Sequence, residues 1–272
     1  MTELVLSQKK SWLFRELNTI VTVMAREITI FFKSPATAIT SLAMPIVMMG
    51  MIGGNIMQNM AGGLGFQFGQ FMLVGMLVNM LFMMTTMGMT SLVDDHDIDF
   101  NQEMLVSPVS RYSLIIGKIL GSAFAAIFSM AGTLVVGFAM GITLPINKLL
   151  MILALSPLMC LSGGALAMII IGLIKSKRAA NMAVMLIVMP QMFLSGAIIP
   201  INNSSGLLLV LNRIMPMTYC LDLVRAVVYN GSPEYSNVVM FNPMVNFAAI
   251  VALTVVCLMV GTYFFAQSEK NR

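Results

Sequence analysis

Charge is what this chain lacks most. Of its 272 residues only 10% are charged, while 58% are hydrophobic. A soluble domain is typically about 25% charged and about 45–50% apolar. Folded in water, a chain of this length would need far more polar surface than these residues supply. That shortage argues against a soluble fold, and lipid is the expected covering. Histidine is nearly missing: there is one, so the chain cannot build a His-based metal site. The three cysteines, Cys160, Cys220 and Cys257, lie far apart with no C-x-x-C and read as buried free thiols. A phosphate-binding G-x-x-x-x-G-K-[ST] loop is absent, because Gly117-Lys118 is followed by Ile119. Hydrolysis of ATP by this chain alone is therefore not expected. Nor is a cleavable leader: Lys9, Lys10, Arg15, Arg26 and Lys33 precede the first long apolar run.

What the chain has is long apolar runs, at 36–58, 70–93, 113–141, 149–174, 179–200 and 244–266. Each reaches the roughly 20 residues that a helix needs to cross the hydrocarbon layer. A weaker run at 205–230 carries Arg213, Asp222 and Arg225 and is broken by Pro216. It reads as short helices that dip into the membrane and return, tolerated only against protein or a water-filled cavity. Ahead of the runs, Leu13, Leu17, Ile20, Val21, Met24, Ile28 and Phe31 recur at steps of three and four. Arg15, Glu16, Thr19, Thr22, Arg26 and Lys33 fill the other face, as in an amphipathic helix lying in the interface, where Trp12 also fits. The expected fold is an all-α integral membrane protein with six transmembrane helices and one domain over 1–272. Within it lie an interfacial helix at 11–33, a cytoplasmic loop at 94–111 and an outer re-entrant segment at 201–235.

Orientation follows from the basic residues. With six crossings and the N-terminus inside, all of them but Lys148, Arg213 and Arg225 fall on the cytoplasmic side. Lys and Arg collect there, so both termini are expected in the cytoplasm and nucleic acid is not the expected partner. In the third run Gly117, Gly121, Ala125, Ser129, Thr133, Gly137 and Gly141 stand four residues apart. Small residues at this spacing admit a close neighbour. A four-residue step drifts about 40° per repeat on a helix of 3.6 residues per turn, so the seam winds and a partner crosses it obliquely.

The densest polar segment runs Asp94-Asp95-His96-Asp97-Ile98-Asp99-Phe100-Asn101-Gln102-Glu103. Carboxylates could hold Mg²⁺ for a transferase, but no second acidic cluster faces them. A solvated loop or a docking element remains, and residues 100–107 read as a short helix stopped by Pro108. On the other side Asp222 and Arg225 stand three apart, within reach on a helix. With Arg213 they read as an interfacial ion-pair group rather than as contacts to cargo. Thirty methionines are scattered over the runs and read as flexible apolar filler, not as a copper site. Leu161-Ser162-Gly163-Gly164-Ala165 looks like an ATPase signature but lies within an apolar run, out of reach of nucleotide.

Glu103-Met104-Leu105-Val106-Ser107-Pro108-Val109-Ser110-Arg111, followed by Gly117-Lys118, resembles the cytoplasmic loop of ABC type-2 transporter permeases. Leu194-Ser195-Gly196-Ala197-Ile198-Ile199-Pro200 and Asn212-Arg213-Ile214-Met215-Pro216-Met217-Thr218-Tyr219, with Asp222 and Arg225, resemble the late signature of the same family. The likeness extends from residue 11 to 266, although Phe100-Asn101-Gln102 replaces the family's basic residue and Gly-Thr pair. It implies an exporter subunit in the plasma or inner membrane. Two permeases, identical or paralogous, would pair in lipid and dock on two cytoplasmic ATPase subunits. Asp99, Phe100, Asn101, Gln102, Glu103, Met104, Leu105, Val106, Ser107 and Pro108 would couple them. ATP and Mg²⁺ would bind the partner, and no cofactor this chain. A carrier driven by an ion gradient stays open as the alternative, against which stands the scarcity of acidic residues within the runs.

Overall fold

The computed structural model describes residues 2–35, 39, 43, 45–53, 66–93, 110–174, 176–198, 200–201 and 205–270. Its helices are α1 (Thr2–Lys33), α2 (Phe68–Gly88), α3 (Arg111–Ala139), α4 (Ile146–Leu173) and α5 (Lys177–Leu194), then α6 (Leu207–Ile214), α7 (Pro216–Val228), α8 (Tyr235–Val238) and α9 (Pro243–Lys270). A π-helical turn covers Met48–Gly53. No strand occurs among the described residues.

Four helical stretches are long and apolar enough to cross a membrane: Phe68–Val93, Tyr112–Ala139, Ile146–Leu173 and Tyr235–Gln267. They coincide with the second, third, fourth and sixth expected runs, and the fold is all-α and integral to the membrane. The bent pair α6–α7 makes a fifth if counted as one span. The first expected run, 36–58, lies mostly outside the described residues. The run at 179–200 folds as the shorter α5. It stops at Leu194, and Gly196 then takes φ 85°, a left-handed turn open to glycine.

Helix α2 is the hub. It is apolar all round, and such a helix must be covered all round. Phe71, Leu73, Val74, Met76, Leu77, Val78, Met80, Leu81 and Phe82 are all fully buried. Glycine lets its neighbours close in. A Cβ on Gly75 would lie 1.9 Å from the Ala197 carbonyl oxygen, and one on Gly163 would lie 2.6 Å from that of Phe82. Thr86 donates its hydroxyl to the Gly163 carbonyl at 3.1 Å, and Gly164 sits against Ile119. The Ser162-Gly163-Gly164 stretch is thus a three-helix contact. Gly172 and Gly261 bring α4 and α9 together in the same way. Only 22% of the α9 apolar window is buried, against 83% for α2, so α9 lies at the periphery of the bundle.

The directions of the helices define two ends. Gly88 of α2 faces Ser122 of α3, and Gly137 faces Leu73, so α2 and α3 run opposite ways. One end gathers Arg15, Lys118 and Arg178 and is called the basic end below. The other gathers the turns at 140–146, 195–198, 229–234 and 239–242.

Candidate functional site

Two clusters of buried charge stand out, one at each end. At the basic end α1 runs alongside the first half of α3 in the same direction. Gly117 and Gly121 admit it: a Cβ on Gly117 would lie 3.0 Å from the Ile20 carbonyl oxygen, and one on Gly121 would lie 2.5 Å from Glu27 Cβ. Lys118 Nζ pairs with Glu27 Oε1 at 3.4 Å, and Arg26 approaches the same oxygen at 3.4 Å. Lys118 is buried, as an ammonium within an apolar helix can be only with a partner. Phe31 meets Phe124 and Phe128 edge-on, with ring centroids 6.4 and 5.4 Å apart. Glu16, buried as well, accepts the Ser110 N–H on both carboxylate oxygens at 3.2 Å.

Helix α1 is three-sided. At about 100° per residue, Glu16, Ile20, Val23, Glu27 and Phe31 share the face against α3. Phe14, Leu17 and Val21 share an exposed apolar face, and Arg15, Thr19, Thr22, Arg26 and Lys33 a polar one, while the Phe32 ring reaches Phe124 of α3 with centroids 5.6 Å apart. The apolar stripe expected to lie on the membrane is therefore divided, with Ile20 and Phe31 turned to α3 and Leu17 and Val21 outward. Sequence periodicity finds an apolar stripe but not which half of it another helix will cover.

The four-spaced row on α3 changes neighbour along its length. From Gly121 to Gly137 is four steps, about 160° of rotation, and the neighbour changes from α1 to Leu73 of α2. Between them Ser129 and Thr133 are buried and donate back to the carbonyls of Ala125 and Ser129, at 3.0 and 2.9 Å. Gly141 lies beyond the helix with φ 78°, and nothing would touch a Cβ there. Its open side faces a cleft of about 390 Å³ lined by Phe66, Gln67, Gln70 and Thr143 among others. The segment of Asp99 to Pro108 lies outside the described residues, as does all of 94–109. The chain leaves it at Ser110.

At the opposite end Asp222 and Arg225 are both buried on α7. Their hydrogen bonds go to other parts of the chain rather than to each other. Asp222 accepts the backbone N–H groups of Met240 and Phe241 at 2.8 Å each, and the Asn246 side-chain amide at 2.8 Å. Arg225 donates to the Gly196 carbonyl at 2.7 Å and lies over the Phe71 ring, 3.6 Å from its centroid. Lys148 donates to the Val228 carbonyl and so caps the end of α7. Together they tie α2, α4, α7 and the turns before α6 and α9. Arg213 is exposed, and only its carbonyl takes part, accepting from Tyr219 Oη at 2.7 Å. Pro216 starts α7 after an 81° bend from α6. Proline suits the first turn of a helix and cannot continue a preceding one.

Sequence reasoning singled out Asp222 and Arg225 but missed Glu16, Glu27, Lys118, Lys148 and Asn246 as members of these clusters. Lys118 carried a usable signal, since a lone ammonium in an apolar run must have a partner. Glu16 and Asn246 gave none, because their partners, the Ser110 backbone N–H and the Asp222 carboxylate, are far away in sequence. Among the described residues no His, Cys, Asp or Glu group is arranged to hold a metal ion.

The family model described as ABC-2 type transporter matches residues 18–229. Nodulation protein J of Rhizobium meliloti (strain 1021) is 30% identical over 132 residues, which are 48% of this chain and 50% of that relative.

Proposed function

Since the chain belongs to the ABC-2 type transporter family and is a multi-pass membrane permease, we propose that it is the membrane-spanning subunit of an ATP-driven exporter. Two permeases, identical or paralogous, form one pathway in the plasma or inner membrane with both termini in the cytoplasm. Each docks on one of two cytoplasmic ATPases, which bind the ATP and Mg²⁺, and this chain takes no cofactor. The loop at 94–111 is the docking element, with Asp99 to Pro108 in contact with the ATPase. The 11–33 stretch of α1 is held against the cytoplasmic half of α3 with its exposed apolar face toward lipid, and 201–235 is an outer re-entrant segment. Closure of the ATPases pushes the loop, and the attached helices change the access of the pathway.

The observation that carries this reading is the family match, which extends from α1 through both quoted motifs to the end of α7. It is supported by the gathering of Arg15, Lys118 and Arg178 at the end that holds the loop. The test is ATP turnover in proteoliposomes holding this chain with and without the ATPase that co-purifies with it. Turnover should need both, and Glu103→Ala or Pro108→Ala should release the ATPase. If no ATPase associates and the chain alone moves solute down an ion gradient, the exporter reading is wrong and a secondary carrier replaces it.

A further inference from the structure

We propose that Glu16 is a positioning residue for energy transfer, fastening the exit of the 94–109 segment to α1 so that loop and helix move as one body. This rests on the coupling role proposed above for that segment.

Helix α3 does not need Glu16 in order to start. Ser110 is its N-cap, in extended conformation, and its own hydroxyl accepts the Tyr112 N–H at 3.3 Å. The backbone N–H of Ser110, the cap residue, takes no part in the helix's own hydrogen bonds. At an ordinary helix start that group goes to water or to a local side chain. Here it goes to a carboxylate 94 residues away in sequence. Glu16 is only 6% exposed, and among the described residues Ser110 N–H is its hydrogen-bond partner. A carboxylate this buried is held by what it accepts, and charge-assisted bonds are the stronger kind.

The rest of α1 gives the joint leverage. Glu27–Lys118 and the seats at Gly117 and Gly121 hold α1 along α3, so a push at Ser110 cannot be absorbed by sliding. The exposed Phe14, Leu17 and Val21 lie on a different face from these contacts and leave α1 anchored in lipid while it moves.

The test uses the full chain with its ATPase in proteoliposomes, comparing Glu16→Ala, Glu16→Gln and, as a control on the exposed polar face, Thr22→Ala. Three quantities are read: ATPase retained on purification, maximal ATP turnover with its KM, and hydrogen exchange at the Ser110 amide. With Glu16→Ala the ATPase should stay bound at unchanged KM. Permease-dependent turnover should fall about tenfold, and Ser110 exchange should rise at least tenfold. Glu16→Gln keeps one acceptor oxygen and should recover half or more of the turnover, while Thr22→Ala should match the unaltered chain. Unchanged turnover or unchanged Ser110 exchange in Glu16→Ala overturns the proposal. So does a loss of turnover that follows lost thermal stability and is not recovered by Gln. If the unaltered chain retains no ATPase, the exporter reading itself has failed, and the energy-transfer role falls with it even where Ser110 exchange still answers to Glu16.

Discussion

Asp222 and Glu16 perform the same chemistry at opposite ends of the molecule, with different consequences. Each is a buried carboxylate that accepts backbone N–H groups ahead of a helix, Asp222 before α9 and Glu16 before α3. Asp222 serves three donors and stands where α7 meets α2, α4 and α9. Glu16 serves one donor, shared between its oxygens, on a helix that meets the bundle along one face. The first is a fixture and the second a latch, and the difference lies in how many buried donors are stranded when the carboxylate goes.

That comparison is broken most directly by removing each acid in turn. Asp222→Ala leaves three donors unpaired, and each stranded buried group costs about 1–3 kcal/mol. The expected total is therefore about 3 kcal/mol or more, enough to abolish monodisperse protein in detergent or to lower its melting temperature steeply. Glu16→Ala should cost about 1–2 kcal/mol and shift melting by only a few degrees. Equal losses in thermal unfolding of the two variants would show that both acids are fixtures.

How far these two ends could be read in advance depends on how local their causes are. Four spans were legible because apolar length is a property of consecutive residues. The bend at Pro216 was legible because proline acts on its own turn. The winding of the small-residue row follows from helix geometry alone, and its change of neighbour between Gly121 and Gly137 agrees with that drift. Asp222 and Arg225 stood out as charges beside apolar runs and read with Arg213 as an interfacial ion-pair group, because their spacing of three suggested each other as partners. In space Gly196, Met240, Phe241 and Asn246 are nearer hydrogen-bonding groups, and no local pattern encodes that. The latch was illegible for the same reason: nothing near Glu16 in sequence points to Ser110.

A second pair of substitutions sharpens the contrast through packing. Gly75 faces the backbone carbonyl of Ala197, which cannot retreat without moving the turn that Arg225 holds. Gly121 faces the Glu27 side chain, where an added Cβ would lie 2.5 Å from Glu27 Cβ, on a helix that meets the bundle along one face. Overpacking costs about 1–3 kcal/mol. Gly75→Ala should fall at or above the top of that range, and Gly121→Ala below Gly75→Ala. Chemical denaturation of the two in the same detergent decides it, and a larger loss for Gly121 would make the α1–α3 contact the more rigid one.

The buried charge at the latch gives a smaller effect. Lys118→Met leaves Glu27 with Arg26 still beside it, so the loss should be about 1–2 kcal/mol rather than the 3–5 of an isolated buried charge. Lys118→Met combined with Glu27→Gln should recover most of the loss, since apolar or neutral replacements of a buried pair are often near neutral. A double-mutant cycle read by melting temperature tests this. A combined loss equal to the sum of the single losses would mean that the two side chains do not act as a pair.

Gly141 should give the smallest effect, and its value lies in its kind. It is the seventh member of the four-spaced row, yet α3 ends at Ala139 and Gly141 follows the cap with φ 78°. Its N–H donates to the Phe138 carbonyl, and the next N–H, of Ile142, donates to that of Gly137 at 3.0 Å. This is the helix stop that glycine favours. An L-residue there costs about 1–2 kcal/mol for its backbone conformation alone, and no neighbour would be struck. Gly141→Ala and Gly141→Leu should therefore lower stability equally, and Gly141→Asn should lower it less, because asparagine tolerates the left-handed region. At Gly121 the loss should instead grow from Ala to Leu. A size dependence at Gly141 as steep as that at Gly121 would place it in the packing seam and remove its role as the stop.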